Sequence, residues 1–151
     1  MKRICATIIC ICLFVVMFSG CGAKEKYIIA TDDSYSPFCY VDTTGKPQGF
    51  DVEIIKAIAK NQKIKIEIVP LGIVESLDAL DEKKADGVIA ALVPDEELSE
   101  KCDFSNAYYN GEYVFAVHKN ENKELIEMFN KGLKNIKEKG TYAKIYKSYF
   151  G

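Results

Sequence analysis

Residues 30–51, ATDDSYSPFCYVDTTGKPQGFD, are the stretch on which the reading of this chain turns. A short apolar strand, Tyr27 to Ala30, runs straight into an acid, an aromatic ring and a tight hairpin. Loops that leave the carboxyl ends of strands in an α/β sheet carry polar groups on a rigid support, so small molecules dock there. Asp32 can accept from an ammonium group, and Tyr35 offers a ring face that stacks on or covers a ligand. Pro37 and the run Thr43, Thr44, Gly45, Lys46, Pro47 supply fixed φ and turn chemistry, which predicts strand and hairpin ahead of a helix opening near Gly49. On the plainer reading Asp32 caps a turn and Tyr35 fills the edge of the core. Spacing alone does not choose between the two.

Outward from this stretch the pattern alternates in type, as an α/β domain does. Phe50 to Asn61 carries apolar residues at 50, 54, 55 and 58, a helical stripe, with Asp51 and Glu53 in the first turn complementing the helix dipole. Ile64 to Val69 alternates Lys and Glu with Ile and Val, a strand with one wet face. Val74 to Lys84 reads as a second amphipathic helix, and Gly87 to Val93 as a strand buried on both faces. Pro94 and the acids at 95–97 suit a short helix start, and Tyr113 to Lys119 is a further strand. Leu125, Phe129, Leu133 and Ile136 recur at helical spacing; Gly140 stops that helix, and Thr141 is expected to cap a last one ending at Tyr149 and Phe150.

Four segments carry a family resemblance. The TD, YxPF and GFD elements at Thr31, Asp32, Tyr35, Pro37, Phe38, Gly49, Phe50 and Asp51, then KADGVIAA (84–91), DFSNAYY (103–109) and GTYAKIYKSYFG (140–151), resemble, in order, the family 3 extracellular solute-binding proteins, the amino-acid-binding subunits of bacterial ABC importers. The resemblance implies an α/β fold, a single lobe of a periplasmic-binding-protein type II fold with a mixed sheet flanked by helices. It implies a polar amino acid or other small amine as ligand and an ABC permease as partner. Site residues carried over by position are Asp32 for a ligand ammonium and Tyr35 for stacking, with Ile73 as a wall and the backbone of Ala91 and Val93 completing the site. For Ile73, Ala91 and Val93 a core-filling role is the plainer expectation.

The amino terminus predicts a protein outside the cytoplasm. Met1, Lys2 and Arg3 form a basic head, Ile4 to Phe18 is almost wholly apolar, and Phe18, Ser19, Gly20, Cys21 follow as small residues before a cysteine. This is the pattern of a signal peptide over residues 1–20, and its apolar run is shorter than the about 20 residues of a spanning helix. The ending resembles a lipobox, which implies diacylation of Cys21, a lipidated tether over 21–26, a lobe over 27–151, and anchoring at the extracytoplasmic face of the bacterial cell membrane. A soluble secreted chain cut nearby is the alternative.

Removal of the signal takes Lys2 and Arg3 from the 20 basic residues and leaves 18 against 22 acids, a net charge of −4, which does not suggest a nucleic-acid partner. Cys39 and Cys102 then remain apart from Cys21. They are expected as two small buried thiols, although export permits a disulfide. No ligand cluster surrounds either, so neither a metal nor a cofactor is expected. Residues 131–151 hold six lysines and one acid, Glu138, read as a wet helix face or as one leaning toward anionic lipid heads.

Two departures from the resembling family bear on function. The predicted strand Tyr113 to Lys119 passes through Asn120, Glu121 and Asn122 directly into the closing helices, so neither a second lobe nor closure of two lobes on a ligand is expected within one copy. The family's carboxylate-clamping arginine stands five residues before the DFS aspartate, and that position here is Leu98. The expectation is a one-lobed binding lipoprotein of weakened or altered affinity, completed by a complementary lobe or by a homodimer. The rival is a lipoprotein that contacts a permease, a second lobe or its own copy and takes no small ligand. An enzyme ranks third, because His118, the one histidine, lies on a predicted strand and no nucleophile with a base is signalled.

Overall fold

The computed structural model describes residues 26–151, so the expected signal peptide and the acylation site at Cys21 lie outside the described residues. In chain order the elements are β1 (Tyr27–Asp32), β2 (Ser34–Tyr35), β3 (Cys39–Val41), β4 (Pro47–Gln48), α1 (Phe50–Gln62), β5 (Ile66–Leu71), α2 (Ile73–Asp81), β6 (Gly87–Leu92), α3 (Glu96–Lys101), β7 (Cys102–Phe104), β8 (Val114–His118), α4 (Lys123–Glu138) and α5 (Thr141–Phe150). Five strands form one sheet in the order β5-β1-β6-β8-β7, and β2, β3 and β4 form a small second sheet. β1 runs parallel to β5 and β6, whereas β8 runs antiparallel to β6 and β7. The sheet is therefore mixed, as the resemblance implies, and its three parallel strands deliver their carboxyl ends to one edge.

The core follows from the apolar runs. Ile29, Ala30, Val88, Ile89, Phe115, Ala116 and Val117 are buried in the central strands, and α1 and α4 present Ile54, Ile55, Ile58, Leu125, Phe129, Leu133 and Ile136 to them. Phe115 and Phe129 stack with ring centres 4.9 Å apart, joining sheet to helix. The hairpin is set by Asp42, whose Oδ1 accepts from the Thr44 N–H at 2.7 Å, the Thr44 hydroxyl at 2.6 Å and the Lys46 N–H at 3.0 Å. These bonds, led by the Thr44 hydroxyl, hold the Asp42 carboxyl down at about 2. Gly49 then turns the chain into α1 with φ 119°, where a Cβ would lie 2.2 Å from the Phe38 carbonyl oxygen.

Several boundaries differ from the sequence expectation. β5 runs from Ile66 to Leu71 and so includes Pro70, which an edge strand tolerates; Pro70 sits opposite Thr31 of β1, and among the described residues β5 pairs with β1 alone. α2 starts at Ile73 and stops at Asp81, because Lys83 turns left-handed at φ 59°. β7 was not expected: its three residues gain strand geometry from pairing with β8, Cys102 opposite His118 and Phe104 opposite Ala116. Thr141 does not cap α5; Gly140, at φ 73°, holds the N-cap position, and Thr141 is the first helical residue.

Candidate functional site

Parallel strands bring the expected site residues to one end of the sheet. Asp32 closes β1 opposite Leu71 of β5; Ile73 opens α2 just beyond, and Ala91 and Val93 lie at the end of β6. Thr31, fully buried, fastens this end: its hydroxyl donates to the Ile89 carbonyl at 2.6 Å, and its own carbonyl accepts from the Ser76 hydroxyl at 3.2 Å.

Both readings of Asp32 and Tyr35 have a physical basis in this geometry. Asp32 Oδ1 accepts from the Ser34 N–H and the Ser34 hydroxyl, each at 3.0 Å, which is the turn-capping arrangement. Both bonds go to Oδ1. Tyr35 stacks on Phe38 with centres 5.6 Å and planes 20° apart, yet is 46% exposed, so one ring face is anchored and the other meets solvent. Phe38 in turn packs against Tyr109, Tyr113 and Phe150 at 5.0, 5.1 and 5.4 Å. The Tyr113 hydroxyl is pushed up to about 12 by its bond with the Tyr35 hydroxyl, with burial as the second cause. The ring expected to stack on a ligand is thus held by a wall of aromatic side chains.

The other candidates are less polar. Ile73 packs against the core margin, while its neighbour Val74 is 63% exposed. Val93 is likewise exposed, and Ala91 is half-buried with φ 49°, a left-handed conformation unusual for a residue with a Cβ. Leu98 is a half-buried residue of α3 whose N–H donates to the capping Asp95 Oδ1 at 2.7 Å. Arg3 is the single arginine of the sequence, so residues 26–151 hold no guanidinium for the place of Leu98.

Asp51 stands in the first turn of α1, as the sequence predicts, but its further role carries no local signal. It is fully buried, and its Oδ2 accepts the Ala91 N–H at 2.7 Å. Burial pushes its carboxyl up to about 7 against the lowering pull of Tyr108, the Ala91 N–H and Cys39. Asp51 Oδ1 and the Tyr108 hydroxyl are buried without an aligned hydrogen bond, but they lie close enough for each to act on the other's protonation. The nearby Cys39 thiol is pushed up to about 12, first by burial and then by Asp51. No sequence signal links positions 51 and 91; only the fold joins them.

The DFSNAYY segment proves structural. Asp103 Oδ2 accepts the Asn120 N–H at 2.8 Å, which with Lys119 holds its carboxyl below the usual range. The Ser105 hydroxyl accepts the Phe115 N–H at 2.9 Å, and the Asn106 N–H donates to Asn130 Oδ1 at 2.7 Å. Cys39 and Cys102 are buried free thiols, and among the described residues no group of three or more His, Cys, Asp or Glu could hold a metal ion. His118 ends β8 with Nε2 3.8 Å from Asp81 Oδ1.

A groove of about 300 Å³ is lined by residues of α2, α3 and the adjoining strands, among them Leu77, Leu80, Leu92, Val93, Leu98 and His118. It contains Val93 but none of Asp32, Tyr35, Ile73 and Ala91, so this groove does not gather the five candidates.

Comparison with known proteins gives a consistent picture. The profile described as bacterial extracellular solute-binding proteins, family 3, matches residues 27–151. The arginine-binding extracellular protein ArtP of Bacillus subtilis is 29% identical over 127 residues, which cover 79% of this chain and 49% of that protein. Substrate binding domain 2 of Lactococcus lactis GlnP, in an open conformation, superposes with a TM-score of 0.80 at 22% identity, covering 83% of this chain and 95% of that one. A phenylalanine-to-tryptophan mutant of the arginine-bound form of domain 1 from TmArgBP matches with a TM-score of 0.65 and 29% identity, over 76% of this chain and 93% of that one. The chain spans about half the length, or less, of the curated relatives it matches.

Proposed function

The chain belongs to the family 3 bacterial extracellular solute-binding proteins, and from that membership we propose that it is a one-lobed amino-acid or amine receptor whose recognition is directed at the ligand's cation. The observation that carries this reading is the pairing of Asp32 and Tyr35 at the strand ends with Leu98 where a carboxylate clamp would stand, in a stretch free of arginine. A carboxylate enclosed there without a donor loses about 2 kcal/mol or more in desolvation. The Asp32 carboxylate supplies the charge for an ammonium or guanidinium group, and the exposed face of Tyr35 covers it. The arginine-bound form of domain 1 from TmArgBP supports a single lobe as a sufficient host for such a ligand. On this reading the protein is no enzyme, its Cys21 is acylated, and it hands its ligand to an ABC permease at the outer face of the cell membrane.

A second reading is favoured by exposed apolar side chains around the same end. Tyr35, Val74 and Val93 are 46%, 63% and 51% exposed, a surface suited to a complementary lobe or a second copy. Calorimetry of the protein against the common amino acids tests the first reading: dissociation constants of about 10 μM or weaker, tightest for cationic ligands, are expected. Sub-micromolar binding of a neutral amino acid by a monomer overturns it. No binding at all, with dimers in light scattering, favours the second.

A further inference from the structure

Ala91 lies where the ladder around β6 fails. β1 pairs with β6 only through Ile29 with Gly87 and Ala30 with Val88, and the register between β6 and β8 shifts between Val88 and Leu92. At this break Ala91 turns left-handed, and its buried-side N–H needs an acceptor from elsewhere. That acceptor is Asp51 Oδ2 at 2.7 Å, reaching in from the first turn of α1, 40 residues earlier. A fully buried carboxylate is an unfavourable thing to keep, and a neutral side chain would satisfy packing alone. Its position behind the turn that leads to Val93 gives a reason for keeping it.

The geometry points to Asp51 as a positioning residue of the ligand site: by accepting the Ala91 N–H it fixes the left-handed turn that aims the backbone of residues 91–93 at the strand-end surface beside Asp32. This inference rests on the amino-acid-binding reading above. Asp51 touches no ligand itself; it acts through Ala91. The groups that face its carboxylate are Tyr108 and Tyr113, from the segment leading into β8, and Cys39 of β3. Cys39 and Tyr113 are each pushed up to about 12, and Tyr108 is raised as well, so none of them titrates near neutrality. A protonation step felt at Ala91 near pH 7 therefore belongs to Asp51.

Amide spectra and hydrogen exchange of the full-length chain, read at Ala91 without ligand, provide the first arm of the test. In the wild type the Ala91 amide is expected to be protected and to shift with a midpoint near 7, and Asp51→Asn is expected to keep the protection but abolish the shift. Asp51→Ala is expected to lose about tenfold in Ala91 protection. The second arm is calorimetry with L-arginine: Asp51→Asn within about twofold of wild type, Asp51→Ala weaker by about tenfold, and the double variant Asp51→Ala with Ala91→Gly partly restored, since glycine adopts the turn without help. If Asp51→Ala fails to fold, the titration lost in Asp51→Asn still decides. A wild-type Ala91 amide that exchanges freely or ignores pH overturns the inference, as does equal L-arginine affinity in all variants. Failure of the wild type to bind L-arginine or any cationic amino acid, with Ala91 behaving as expected, instead overturns the amino-acid reading beneath it.

Discussion

If the lobe is a cation receptor as proposed, Leu98→Arg should make it read a carboxylate as well. The backbone at 98 is already fixed, because its N–H is held by Asp95 Oδ1 at 2.7 Å, so a new guanidinium would extend from a rigid helix start. A shielded bidentate pair with a carboxylate contributes about 3 kcal/mol. Two features reduce that figure here. Leu98 is only half-buried, and Asp95 and Glu97 lie on the same turn and compete for the guanidinium. About 1 to 2 kcal/mol should survive, or roughly 5- to 30-fold in affinity. Calorimetry with L-arginine and with agmatine, its decarboxylated form, separates this effect from a general change in binding. L-arginine should tighten by that factor while agmatine stays within about twofold. Equal tightening of both ligands, or none for L-arginine with the helix content intact, would refute the reasoning that Leu98 marks a missing carboxylate clamp.

Further expectations follow from packing and protonation. Gly87→Ala would place a Cβ 2.2 Å from Phe115 Cζ, on a fully buried ring already stacked against Phe129, so a loss of about 3 kcal/mol is expected in urea unfolding; less than about 0.5 kcal/mol would contradict the packing. The Asp42 carboxyl, depressed to about 2 by its hairpin bonds, stabilises the fold above its unfolded value near 3.8 and ceases to do so as pH falls through 2. The melting-temperature gap between wild type and Asp42→Ala should therefore close between pH 4 and pH 2, and a gap that persists at pH 2 would count against the bond set. In residues 26–151 alone, Cys39 should react with a thiol reagent at pH 8 only at the rate of unfolding, since it is fully buried and held up to about 12; its fast labelling in the native protein, read by peptide mapping, would contradict this.

Long periodic segments made the architecture readable from the residues. The stripe 50, 54, 55, 58 became α1, the apolar run from Gly87 became β6, and Leu125, Phe129, Leu133 and Ile136 became the buried face of α4. Short or borrowed structure was not legible. β7 has three residues and is a strand because β8 lies beside it, and Pro70 sits in β5 because an edge position relieves it of a donor. At the site, Asp32 and Tyr35 stand out because acid and ring follow a strand directly, whereas Asp51 resembles any acid in a first helical turn. Its role depends on a break in β6 and on a partner 40 residues away, which local pattern does not encode. The DFSNAYY run carried the family resemblance yet serves to fasten β7, β8 and α4 together through Asp103, Ser105 and Asn106.

The most direct measurement is the affinity ratio of the unmodified protein for agmatine and L-arginine. Recognition through Asp32 and Tyr35 alone makes the two ligands equal within about threefold, or favours agmatine, because its guanidinium and ammonium groups are unaccompanied by a carboxylate. A preference for L-arginine of about thirtyfold or more would mean that the lobe grips the carboxylate after all, and would contradict the account.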